Sequence, residues 1–171
     1  MSAASIIAHT PVWVWVLMVF LLYRGIIALQ PREMTWQRML LLPVLFFAWA
    51  LYDVARELHH PALALAAFAC GLVIGGAIGW LLAARQEPAW LDPASRLIHR
   101  PGTPVTLIAI IIGFLCKYAL SVAVAHHADL AASADYNVLY GGIAGMVDGV
   151  FWGMTGLQLC QVCGRKPAHS N

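Results

Sequence analysis

The chain has 171 residues, of which 61% are hydrophobic and 11% charged, with a formal net charge of +2. A soluble domain carries about 25% charged residues, so this chain is too poor in polar groups to cover a globular surface. The same hydrophobicity excludes disorder, and the scattered basic residues form no stripe for a nucleic acid.

A polytopic membrane protein remains. The apolar runs are continuous rather than alternating, and an open sheet leaves unsatisfied edges in lipid, so the fold class is all-α, a bundle of membrane helices in one domain. Crossing about 30 Å of hydrocarbon takes about 20 mainly apolar residues. Five stretches have that length, at about residues 11–29, 39–58, 61–84, 104–126 and 137–160.

The first stretch has no basic residue ahead of it and charge after it, which predicts a retained helix and not a cleaved signal. It carries Arg24 near its inner end, within reach of the interface. The second contains Pro43, which lacks an N–H and kinks a helix. It also carries Asp53 and Arg56, three residues apart and able to pair locally. The third holds Gly71, Gly75 and Gly79 at a spacing of four. The connection 85–103 is the longest, and its prolines make it mostly irregular. Asp92 before Pro93 predicts one short helix over residues 94–99, as an N-cap with proline at the first position. The fourth stretch carries Lys117. The fifth carries Asp148 and repeats the spacing of four with Gly141, Gly145, Gly149 and Gly153. A tail over 161–171 follows.

Basic residues set the orientation of such a chain. Arg32 and Arg38 lie in the first connection, Arg85, Arg96 and Arg100 in the third, and Arg165 and Lys166 in the tail. The N-terminal segment and the connection 127–136 have none. This alternation predicts five transmembrane helices with the N-terminus outside and the C-terminus cytoplasmic. Trp13, Trp15, Tyr136 and Tyr140 then fall near the outer interface, and Trp36, Trp80 and Trp90 near the inner one.

Ionisable groups inside a membrane segment are costly and face the bundle interior. Lys117 and Asp148 both lie about 14–15 Å below the outer ends of their helices, at 1.5 Å per residue. An ion pair between them is the simplest way to hold both charges. It can fix helix register, or it can serve a proton or ion relay. The glycine faces allow close backbone approach. They suit packing within the chain, a homodimer through one stripe, or a glycine-lined pore, and two faces exceed what internal packing requires, which favours a homodimer as well.

His9, His59, His60, His126 and His127 all fall on the outer side, flanked by Glu57 and Asp129. Imidazole and carboxylate suit Zn, Cu or Ni. Adjacent histidines point apart, however, so each pair offers one ligand, and the simpler reading is ordinary interfacial residues. Cys160 and Cys163 have the spacing of a redox or metal half-site, but zinc needs four ligands and only His169 is near in sequence. They read as two free thiols, and Cys70 and Cys116 as packing residues. The chain has no G-x-G-x-x-G, P-loop, H-E-x-x-H or G-x-S-x-G. No cofactor is expected. The leading expectation is a non-enzymatic interaction or assembly module in the lipid bilayer. The competing one is a small ion- or proton-coupled transporter or channel using Lys117 and Asp148.

The segment His9-Thr-Pro-Val-Trp-Val-Trp, with Arg24-Gly25, Pro31-Arg-Glu-Met34 and Arg38-Met-Leu-Leu-Leu-Pro43, resembles a family of small bacterial inner-membrane proteins known as a domain of unknown function. The likeness covers roughly the first 60 residues. The basic loop leading into an apolar run with proline is also similar to small membrane proteins found with cytochrome c biogenesis genes. The resemblance implies a multi-pass protein of the bacterial inner membrane. It transfers no activity and no catalytic residues.

Overall fold

The computed structural model describes residues 12–92, 94–100 and 102–164, with the side chains of Arg24, Asp53, Arg56, Glu57, Lys117 and His126 among those outside the description. Among the described residues five helices form a bundle: α1 (Val12–Ile27), α2 (Trp36–Glu57), α3 (Pro61–Ala84), α4 (Pro104–His126) and α5 (Ala134–Gly164). Three short strands, β1 (Arg32–Met34), β2 (Trp90–Leu91) and β3 (Ile98–Arg100), close one end. A 3-10 turn over Ala128–Ala132 leads into α5 at the other.

Local chemistry sets the helix ends. Pro61 and Pro104 occupy the first turns of α3 and α4, where a missing N–H costs no hydrogen bond. Thr103 caps α4, its hydroxyl accepting from the Val105 N–H at 3.2 Å. Helix α5 begins before residue 137, where the apolar run starts, because the Ser133 hydroxyl accepts from the Tyr136 N–H at 3.2 Å. It runs past 160 to Gly164 and is 31 residues long, about 46 Å at 1.5 Å per residue. Pro43 lies inside α2, which continues through it. Two helices, α3 and residues Pro104–Val124 of α4, are long and apolar enough to cross a membrane.

Helix α5 is the centre of the bundle, packed most closely on α3 and also against α2 and α4, while α1 packs on α4. Gly25 is the contact point of α1, since a Cβ there would collide with the Leu107 side chain. Leu21, Ile110 and Phe151 fill the space where α1, α4 and α5 meet, and Phe46 stacks on Phe151 with ring centroids 5.7 Å apart. Large apolar side chains stay exposed on the outside of the helices, among them Val19, Leu45, Val73 and Leu115.

The sheet corrects two expectations: the fold is not purely α-helical, and residues 94–99 form no helix. Strand β3 is central, with antiparallel pairing to β1 (Arg32 opposite Arg100) and to β2 (Trp90 opposite His99). Asp92 still accepts from the Ala94 N–H, at 3.0 Å, as an N-cap would. It also accepts from the Ser95 hydroxyl at 2.7 Å, and its N–H donates to Leu97. These bonds close a tight turn, with Arg96 at φ 55°. They hold the Asp92 carboxyl below the ordinary carboxylate range, with the Ser95 hydroxyl the larger cause. The chain therefore reverses, and Ile98–Arg100 returns as a strand.

Candidate functional site

The glycine spacing of four places Gly71, Gly75 and Gly79 along one face of α3, and Gly141, Gly145, Gly149 and Gly153 along one face of α5. These two faces meet each other. A Cβ on Gly71, Gly75 or Gly79 would collide with the carbonyls of Gly142, Met146 and Val150 in turn. A Cβ on Gly141, Gly145, Gly149 or Gly153 would collide with those of Ala64, Phe68, Leu72 and Gly76. Backbone thus lies on backbone over the length of the contact, and no pore lined by these glycines runs between the helices. The homodimer expectation rested on one spare stripe. Both stripes are consumed inside the chain, so that basis is gone.

Asp148 lies on the neighbouring face of α5 and is 2% exposed. Ala144, four residues before it, packs with Ala50 and Phe68. Phe151, three residues after it, packs with Leu21 and Ile110. The carboxylate therefore sits deep in the bundle, on the side facing α2, α4 and α1. Val147 meets α4 at Gly113, where a Cβ would come within 2.8 Å of Val Cγ1. Lys117 is one turn from Gly113 toward the C-terminal end of α4, and Asp148 is one residue from Val147 in the opposite direction, so the two differ by about 7–8 Å along the antiparallel axes. The Lys117 side chain is outside the described ones, as are those of Arg24, Asp53 and Arg56.

At the end formed by the second and fourth connections, Asn137 is the organising residue, and sequence reasoning passed over it. It is fully buried. Its amide donates to the carbonyls of Ala131 and Ser133 at 2.9 and 2.6 Å, and its oxygen accepts from the His60 N–H at 3.1 Å. His60 Nε2 donates to the Ala132 carbonyl at 3.1 Å. His59, His60, His127 and Asp129 are exposed, and His9 and the side chains of His126 and Glu57 fall outside the description. Among the described residues no three His, Cys, Asp or Glu side chains are grouped to hold a metal. Cys160 and Cys163 are exposed free thiols in the last turn of α5, Cys70 is exposed, and Cys116 is half-buried.

The opposite end joins elements far apart in sequence. Met34, Met39, Ala89, Ile98 and Val162 form a buried cluster under the sheet. The Gln161 side chain accepts from the Ala89 N–H at 3.0 Å, which ties the third connection to α5. The Thr103 N–H donates to Ala28 at 2.8 Å, which ties it to α1. Side chains alternate across a strand. Arg32 and Arg100 therefore share the sheet face of the buried Met34 and Ile98, while Glu33, His99 and Trp90 share the other. Trp90 stacks on His99 with centroids 3.9 Å apart, and His99 Nε2 lies 3.3 Å from a Glu33 oxygen. A cleft of about 730 Å³ opens here.

A family described as "Family of unknown function (DUF6622)" matches residues 2–169. The chain is 31% identical over 74 residues to "Uncharacterized protein PM0739" of Pasteurella multocida (strain Pm70), a match covering 43% of this chain and 57% of that protein. The matched part thus spans little more than half of that relative. No solved structure matches. Neither match carries a link to cytochrome c biogenesis.

Proposed function

We propose that this chain, which belongs to the family of unknown function DUF6622, is a five-pass protein of the bacterial inner membrane that acts as a non-enzymatic interaction or assembly module. The observation that carries the reading is the welded α3–α5 pair. Alternating access needs one group of helices to rock against another. Carbonyls seated on seven glycines resist such movement, and a rigid centre with apolar flanks suits a scaffold. The membrane reading draws on the two helices of membrane length and on the arginines gathered at one end. The first and third connections share the sheet at that end, and α5 finishes beside them. A cytoplasmic location for this end follows the positive-inside rule. Reporter insertions at Ser5, Arg96 and Ser170 test the topology. The expected result is a periplasmic signal at Ser5 alone; a periplasmic signal at Arg96 or Ser170 rejects it.

One observation favours a second reading, an ion- or proton-coupled transporter or channel: Asp148 is buried in the central helix. Proteoliposome flux separates the two. A scaffold gives no proton or cation flux above empty vesicles. Reproducible flux that Asp148→Asn abolishes overturns the first reading in favour of the second.

A further inference from the structure

Helices α4 and α5 run antiparallel, in a register that three contacts define. Leu120 packs with Tyr140, Gly113 meets Val147, and Ile110 packs with Phe151. One turn nearer the sheet, the same register sets Thr106 beside Thr155. Three residues further it sets Thr103 beside Gln158. All four are buried, Thr106 at 4% exposure and the others at 2%, and they are four of the six buried polar side chains among the described residues. The seam between α4 and α5 is therefore polar at this end and apolar above it. Gln86 joins the group from the third connection, its amide donating to the Thr103 hydroxyl at 2.8 Å.

Three oxygens of this group are buried with no hydrogen-bond partner among the described residues: Thr106 Oγ1, Gln158 Oε1 and Gln86 Oε1. A buried polar atom left dry is costly, so such atoms are paired or solvated. Three of them within two helical turns call for one shared occupant. A cation fits poorly. The buried carboxylate among the described residues, Asp148, lies seven residues before Thr155, about 10 Å along α5, with Phe151 between them. An apolar occupant answers no oxygen. Water donates two hydrogen bonds and accepts two, and so suits a hydroxyl between two amides. Two threonines also fill the seam less than the isoleucine and phenylalanine of the next layer. Gln86 lines the cleft beside the sheet, which gives water a way in. We infer that ordered water occupies the α4–α5 seam here, bridging Thr106, Gln158 and Gln86. It makes a polar lock that holds α4 and the third connection to the central helix.

The test uses the full-length protein in detergent and turns on the sign of a stability change. Thr106→Val and Gln158→Met keep shape and remove a polar group. If water bridges the seam, each takes away a partner and lowers Tm by about 2–4 °C. The double variant then loses less than the sum, because both groups hold the same water. Thr106→Ser, which keeps the hydroxyl, should melt closer to the wild type than Thr106→Val does. A dry seam predicts the reverse sign, since each substitution then relieves an unsatisfied atom and raises Tm. The second readout is a nuclear Overhauser transfer from water to the Gln158 side-chain amide, distinguished from proton exchange by its sign in the rotating frame. The wild type should show it, and folded Thr106→Val should show it weakened. This readout on the wild type stands even where a variant fails to fold. A raised Tm in either single variant overturns the inference, and so does absence of the transfer in the wild type. A Tm that falls when sodium and potassium are replaced by choline overturns it too, in favour of a cation.

Discussion

Gly145→Leu and Gly75→Leu should each destabilise the protein by about 3 kcal/mol or more, at the upper end of what overpacking does. The cause is the identity of the colliding atom. A side chain at Gly145 meets the Phe68 carbonyl, with Phe68 Cα 2.9 Å from the new Cβ, and one at Gly75 meets the backbone of Met146. Backbone cannot turn aside as a flexible side chain can, so α3 and α5 must separate along their length. Gly142 is the control. It lies on α5 next to Gly141, yet a Cβ there meets nothing within 4 Å. Gly142→Ala should therefore be neutral or stabilising by up to about 1 kcal/mol, from the helix preference for alanine. Thermal unfolding in detergent, followed by helicity, measures all three. Stripes that served a dimer would behave differently: Gly145→Leu would dissociate the dimer while each monomer kept its melting temperature. That outcome refutes the internal packing.

This contrast shows what the sequence can express. Spacing by four marks a face made for close approach, and both stripes were legible before any coordinates. Nothing in the spacing says whether the partner is in the same chain, because the chemistry of glycine against carbonyl is identical in both cases. The bounds of α3 and α4 were also legible, since a proline stands at the first turn of each and the apolar run fills the helix. The ends of α5 were not. An apolar window discards Ser133 and Asp135 as polar, although Ser133 is the residue that starts the helix. Asn137 stands at the edge of that window, and its role as organiser was passed over. Its signal was a buried amide one turn into a helix, and burial is a property of the fold and not of the local sequence.

The sheet was illegible for a different reason. Its strands are two or three residues long, and β1 is more than 50 residues from its partners. Such strands gain little from local propensity and exist because the bundle brings two connections to one end. The local signal, Asp92 followed by Pro93, was read correctly as a hydrogen-bonding aspartate and incorrectly as the start of a helix. An aspartate that accepts from the N–H two residues on serves a turn as well as a cap. Only the pairing with β1 and the stacking of Trp90 on His99 decide between the two. The cleft beside the sheet follows from that pairing, so its lining residues could be counted in the sequence but not grouped.

The charges inside the bundle give the second large effect. Lys117→Met and Asp148→Leu should each cost about 3–5 kcal/mol if the two side chains pair, because each leaves the other charge buried and uncompensated. The double substitution should recover much of the loss, since both desolvation penalties vanish together. The packing of Val147 against Gly113 bounds the offset between the two: Lys117 lies four residues beyond Gly113, about 6 Å along the axis, and Asp148, the residue after Val147, lies about 1.5 Å the other way on the antiparallel α5. A lysine side chain can span that offset. Thermal unfolding of the four proteins closes the cycle, and independent sites would instead add to within about 0.5 kcal/mol. Additive losses therefore reject the pair. So does a Lys117→Met protein that melts with the wild type, which would leave Asp53 as the next partner to test for Lys117. Flux then distinguishes the two uses of a confirmed pair. A structural pair leaves a stable double mutant with nothing to lose, whereas a relay leaves one that is stable and has lost a flux the wild type possessed.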